Sequence, residues 1–182
     1  MFGIPKWNIA LIVVLLAGMF GYATYFDVST PEKTVEKFYQ LLGTGKYDQA
    51  AEYLSVNWAY SVLFPKYNNT APSELLKRES AIRKEMGQAL AQNLPEAGTG
   101  ELKVTARPSL TRSGSKAALV VCDYRVPNSK VQGQQLALLV KESGRWRLFE
   151  LSDVTGYDLS FLKDVNMEDL DSKMNSFFQA KG

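Results

Sequence analysis

Apolar residues run along this chain in three rhythms. From Trp7 to Phe26 the run is unbroken: WNIALIVVLLAGMFGYATYF, twenty residues without a charge. A helix of about that length spans the roughly 30 Å hydrocarbon core of a bilayer. Trp7 marks one end of the run and Tyr22, Tyr25 and Phe26 the other, where aromatic rings settle at membrane interfaces. From Thr30 the apolar positions recur every three or four residues. Thr30 followed by Pro31 predicts an N-cap and a first helical position. Val35, Phe38, Tyr39 and Leu42 then form one helical stripe, and Tyr47, Ala50, Ala51 and Leu54 repeat its spacing. Between the stripes lies Gly43-Thr44-Gly45-Lys46. A phosphate-binding loop with that ending needs Gly at position 40 and Ser or Thr at 47. The chain has Gln40 and Tyr47, so the segment predicts a helix-to-helix corner, with Gly43 and Gly45 free to take positive φ.

Residues 56–72 are bulky, and Pro65 and Pro72 interrupt any long helix. A third helix is expected from Ser73, burying Leu75, Leu76, Ile82, Met86, Leu90 and Leu94. Its charges (Glu74, Lys77, Arg78, Glu79, Arg83, Lys84, Glu85) mix signs and predict a solvated face. Pro95 through Gly100 closes this helical half. The period then drops to two. Leu102, Val104, Ala106, Pro108 and Leu110 alternate with polar residues, which predicts a half-buried strand. Lys116–Val126 hardly alternates, as a central strand covered on both faces would not. Gln134–Glu142 and Arg145–Leu151 follow across short turns, so an antiparallel meander is expected. After a loop, Asn166 caps a last amphipathic helix carrying Met167, Leu170, Met174, Phe177 and Phe178, which must bury on the sheet or on a partner.

Helices first and strands afterwards define an α+β protein. The expected architecture is an N-terminal transmembrane helix, three helices packed on a curved antiparallel sheet of about four strands, and a C-terminal amphipathic helix. Three regions are expected: residues 1–27 as cytoplasmic tail and anchor, 28–152 as the α+β domain, and 153–182 as a C-terminal extension. Lys6 precedes the apolar run while Asp27 and Glu32 follow it, which keeps the amino end in the cytoplasm and the domain outside. Gly21-Tyr22-Ala23 has the small-x-small form of a cleavage site, and cleavage there would give a secreted protein instead.

Charge narrows the function classes. The chain carries 21 basic and 19 acidic residues, for a net charge of +2, and no histidine. Interspersed charge of this kind lacks the basic stripe of a nucleic-acid binder. Without histidine there is no Ser-His-Asp triad, no imidazole base and no His-ligated zinc. Cys122 stands alone, so no internal disulfide forms and the thiol reads as a small core hydrophobe. Asn68-Asn69-Thr70 matches a glycosylation acceptor, relevant only in a eukaryotic secretory route.

Three helices followed by a meander ending in ESGRWRLFEL (Glu142–Leu151) resemble the nuclear transport factor 2-like superfamily of α+β cones. Thr30–Ser55 resembles the opening helical hairpin of bacterial extracytoplasmic members, and Lys116–Val126 with Gln134–Leu151 their paired strands. The likeness covers residues 30–152. It implies a bent sheet around a cavity closed by helices. It also implies three uses of that cavity: catalysis, as in ketosteroid isomerase and scytalone dehydratase, small-ligand binding, or assembly of membrane complexes by single-span scaffold subunits. The order of short tail, span and domain is similar to the third group.

An isomerase on this scaffold needs a carboxylate base and an opposed acid donor in one cavity. Asp123 beside Tyr124 offers both groups, but neighbours on a strand point to opposite faces. Arg125, two positions along, predicts a structural ion pair for Asp123. Tyr39, Trp58, Tyr60, Asp123, Tyr124 and Trp146, together with Tyr53, are the candidates to line a cavity; as aromatics most of them serve equally as core. No catalytic residue, cofactor or metal site is expected. The sequence therefore predicts a membrane-anchored, extracytoplasmic, non-enzymatic domain that binds a protein partner or self-associates. The alternative is a cavity protein that binds or isomerises a small apolar ligand.

Overall fold

The computed structural model describes residues 30–94, 102–127 and 129–179. The expected anchor Trp7–Phe26 and the Pro95–Gly100 closure lie outside these. Among the described residues no helix is long and apolar enough to cross a membrane.

The chain is α+β, helices first. Thr30 caps α1 (Pro31–Gly43), its hydroxyl accepting from the Lys33 N–H at 3.3 Å. Val35, Phe38, Tyr39 and Leu41 are buried on one side of the helix. At the Gly-Thr-Gly-Lys corner, Lys46 N–H donates to the Leu41 carbonyl and Gly45 N–H to that of Leu42. Gly45 takes φ +70°, the left-handed residue such a helix ending requires, while Gly43 stays helical. The short α2 (Tyr47–Ala51) follows directly. The bulky stretch 56–72 holds a 3₁₀ turn (Val56–Trp58) and one turn of helix, α3 (Ala59–Val62). The single helix expected from Ser73 is two, α4 (Pro72–Lys77) and α5 (Glu79–Asn93), broken where Arg78 leaves helical dihedrals (φ −117°, ψ 20°). Leu75, Ile82 and Met86 are buried as expected, whereas Leu94 is exposed.

The sheet has five strands rather than four: β1 (Lys103–Ala106), β2 (Arg112–Ser113), β3 (Ala117–Arg125), β4 (Gln132–Glu142) and β5 (Arg145–Asp153). Pairing is antiparallel in the order β1-β3-β4-β5, with β2 also on β3. The strand expected over 102–111 breaks in two because Pro108 has no N–H for the ladder. The chain makes a 3₁₀ turn there (Pro108–Leu110) before pairing resumes. A register shift at Leu138/Leu139 leaves Phe149 of β5 without an opposite residue, a bulge that bends the strand.

β3 is covered on both faces, and its alternation divides the core. Ala118, Val120 and Cys122 join the main cluster with α1, α2 and α5. Leu119 and Val121 join a second cluster with Val154, Leu159 and Leu162. The C-terminal extension thus packs on the sheet. Its loop contains a 3₁₀ turn (Ser160–Asp164), and Asn166 Oδ1 caps α6 (Met167–Gln179) by accepting from Glu168 and Asp169 N–H. The apolar side of α6 packs on the sheet, with Phe177 and Phe178 edge-on to Phe149. Residues 53–55 close the far edge: Leu148 N–H donates to the Tyr53 carbonyl and Ser55 N–H to the Leu148 carbonyl, both at 2.7 Å.

Candidate functional site

Of the six candidate cavity residues, Tyr39 and Trp146 are buried in the main cluster and Trp58 and Tyr60 pack against it, while Asp123 and Tyr124 stand outside it. Tyr39 is buried and donates its hydroxyl to Gln135 Oε1, and burial pushes that phenol well above its ordinary pKa. Trp58 packs against the main cluster, its indole N–H buried without a partner among the described residues. Tyr60 donates to the Thr70 carbonyl at 2.6 Å, and Tyr124 to Asp153 at 3.0 Å. Trp146 is buried under the Lys141 ammonium, 5.0 Å from its ring centre. Asp123 is half-exposed and pairs at 2.6 Å with Arg107, not with the expected Arg125. Thr105 stands opposite Asp123, which puts Arg107 diagonally across on the same face. The Arg107 hydrogen bond, then that of Gln134, holds the Asp123 carboxyl below its usual range. Burial pushes the Cys122 thiol up to about 12, helped by Asp123 and Glu36, so it is no thiolate at neutral pH.

Three other loci carry more chemistry. The first is a buried ionic cluster. Arg83, which the charge pattern assigned to a solvated face, is 2% exposed and meets the equally buried Glu142 at 2.5 Å. Glu142 also accepts from Ser55 Oγ at 2.5 Å and from Val56 N–H at 3.2 Å. Arg83 donates further to the Leu54 carbonyl and to Glu79. Burial pushes the Glu142 carboxyl up, against the pull of Ser55, Arg83 and Val56. Arg147, beside the cluster, donates to the Glu52 carbonyl, and burial with Arg83 nearby lowers its guanidinium to about 10. Sequence reasoning missed this cluster. The available signals were the position of Arg83 next to Ile82 on the buried side of its helix, and that of Glu142 two residues beyond Val140 on one strand face.

The second locus is a crevice of about 220 Å³ between α6 and β4, where Met174 and Phe178 face Leu76 and Val140 with Glu142 at its wall. The third is an open groove of about 590 Å³ between α1 and the β1 edge, lined by Lys33, Glu36, Lys37, Gln40, Tyr53, Val104 and Thr105. Of the candidates named from sequence only Tyr53 borders it. Among the described residues no group of three acidic, Cys or His side chains could hold a metal.

No family model, curated protein or solved structure matches the chain.

Proposed function

We propose that this chain is a single-span membrane protein whose α+β domain, displayed outside the cytoplasm, works by binding a protein partner rather than by catalysis. The span is the charge-free run Trp7–Phe26, and the resemblance to nuclear transport factor 2-like scaffold subunits suggests the use. One observation carries the non-enzymatic part: the titratable groups placed to do chemistry are already committed. Asp123 is bound to Arg107 and Gln134, Glu142 to Arg83, Ser55 and Val56, and Tyr39 to Gln135. A general acid or base needs a site within hydrogen-bond reach of a substrate. The test is site-specific photo-crosslinking in intact cells, with protease added to sealed cells alongside. Cleavage after Phe26 together with a discrete crosslinked partner is expected. A protected domain, or no crosslink from any surface position, would overturn the proposal.

The second reading, a protein for small apolar ligands, has the α6 crevice in its favour, with a high-pKa carboxyl at an apolar wall. Displacement of a hydrophobic dye that is abolished by Val140→Arg would support it.

A further inference from the structure

β5 has its outer edge covered by residues 53–55, whereas no described strand lies along the outer edge of β1. Which backbone groups β1 turns outward follows from its register. Arg107 N–H donates to the Val121 carbonyl at 2.7 Å, continuing the Thr105–Asp123 and Lys103–Arg125 pairs. In an antiparallel ladder, hydrogen-bonded pairs alternate with pairs that point away. Residues 103, 105 and 107 therefore bond to β3, and Val104 and Ala106 present their N–H and C=O groups to the groove. Ala106 N–H confirms the phase, since it donates to Glu36 Oε1 at 3.0 Å. A carboxylate of the protein's own thus sits where a neighbouring strand's acceptor would be. Around it the groove is cationic: Lys33 and Lys37 stand one turn apart on α1, against Glu36 alone.

Deepening the partner-binding reading on which it rests, we infer that this groove takes an acidic segment of a partner protein in extended form, added as a strand alongside β1 with its carboxylates on Lys33 and Lys37. Main-chain bonds to Val104 and Ala106 supply the pairing, and the two ammonium groups select acidic side chains. Glu36 is the internal competitor that a docking strand displaces. Val104 separates strand addition from mere surface charge, because charge alone makes no demand on its outward N–H.

The experiment uses the full chain in detergent micelles and fluorescent heptapeptides of alternating valine and glutamate. Controls are the valine–lysine analogue and a valine–glutamate peptide N-methylated at alternate residues. The acidic peptide is expected to bind in the micromolar range, and both controls weaker by roughly tenfold or more. Lys33→Glu with Lys37→Glu should lose binding by a similar factor. Glu36→Ala should tighten it, since the competing carboxylate is gone. Val104→Pro removes an outward N–H without touching the β1–β3 ladder, as an edge strand tolerates. It should weaken binding while leaving thermal unfolding within a few degrees of the parent. No binding by the acidic peptide, equal binding of the lysine or N-methylated peptide, or weakening by Glu36→Ala would overturn the inference. A photo-crosslinker at Thr105 and another at exposed Lys163 then separate the two levels in cells. A partner captured only at Lys163 leaves the partner-binding reading standing without this groove; no capture at Thr105 removes the groove, and no capture from any surface position removes both.

Discussion

At the scale of single residues the Arg83–Glu142 pair dominates. Each ion is almost wholly removed from water, and desolvation of that kind costs several kcal/mol unless partners compensate. Here they do, through Ser55 Oγ, Val56 N–H, the Leu54 carbonyl and Glu79. The pair pins the 53–56 segment, and with it the cover on the β5 edge, to the end of α5. Arg83→Met should therefore cost about 3–5 kcal/mol in chemical denaturation, because it strands the carboxylate. Adding Glu142→Leu should recover part of that loss but not all, since Val56 N–H then lacks an acceptor, at about 1–3 kcal/mol. A double variant that loses the full sum of the Arg83→Met and Glu142→Leu losses would show that the pair is not coupled. The pH dependence of Arg83→Met gives an independent check. Without the arginine, burial holds the folded-state pKa of Glu142 further above its unfolded value. Its contribution is then fully present below about pH 4.3 and lost as pH rises through the folded pKa. The variant should lose stability relative to the parent as pH climbs from 4 toward neutrality. Nothing in the composition announces this pair, because helical charge patterns predict exposure and only the tertiary fold decides which single charge turns inward.

At the scale of elements, the sequence rhythm was readable wherever local spacing decides burial. The α1 stripe, the Gly45 corner, the two-faced β3 and the Asn166 cap all follow from local spacing and caps. It was not readable where a backbone detail intervenes, as at Pro108, or where two elements meet from far apart in the chain. The seating of α6 is such a case. Asp171 accepts from the backbone N–H groups of Ser115, Lys116 and Ala117 and from Ser115 Oγ, all between 2.6 and 2.9 Å. One carboxylate so locks the helix to the turn between β2 and β3. Gly114 is required beside it: a Cβ there would lie 2.5 to 2.7 Å from the Asp171 carboxyl atoms, which cannot yield without losing those bonds. Asp171→Asn should cost about 1–3 kcal/mol and raise hydrogen exchange across α6 before the rest of the molecule. Gly114→Ala should do the same through the clash. Burial alone would raise the Asp171 carboxyl, but the bonds from Lys116, Ser115 and Ala117 prevail and hold it low. This stabilisation is present above about pH 3.9 and lost as pH falls through the lower folded value, so α6 exchange should quicken in acid. Unchanged α6 exchange in Asp171→Asn would remove the latch.

For the whole molecule, the decisive feature is that one sheet serves two cores. Residues 154–165 and α6 form no separate module, because Leu119 and Val121 alternate with Ala118, Val120 and Cys122 on the same strand. A change in the second cluster should therefore be felt by the first. Leu139 is fully buried in the main cluster and Leu162 is 1% exposed in the second, 23 positions away on the C-terminal side. Each Leu→Ala change removes similar volume and should cost about 2–5 kcal/mol. If the sheet couples the clusters, both variants shift the denaturation midpoint while the slope stays that of the parent, since the same surface is exposed at once. Fluorescence of a Trp7→Phe background, which follows Trp58 and Trp146 at the main cluster, should then report Leu162→Ala as faithfully as far-ultraviolet dichroism does. A tail that detaches by itself behaves otherwise: in Leu162→Ala, α6 would exchange its amides while the tryptophan signal stayed native, and the slope would fall. The partner-binding proposal distinguishes the same outcomes. A strand added at the β1 edge stabilises β1 and, through its pairing, β3, so in the coupled molecule the acidic peptide should raise the midpoint of Leu162→Ala as much as that of Leu139→Ala. In the uncoupled molecule it would rescue only the latter.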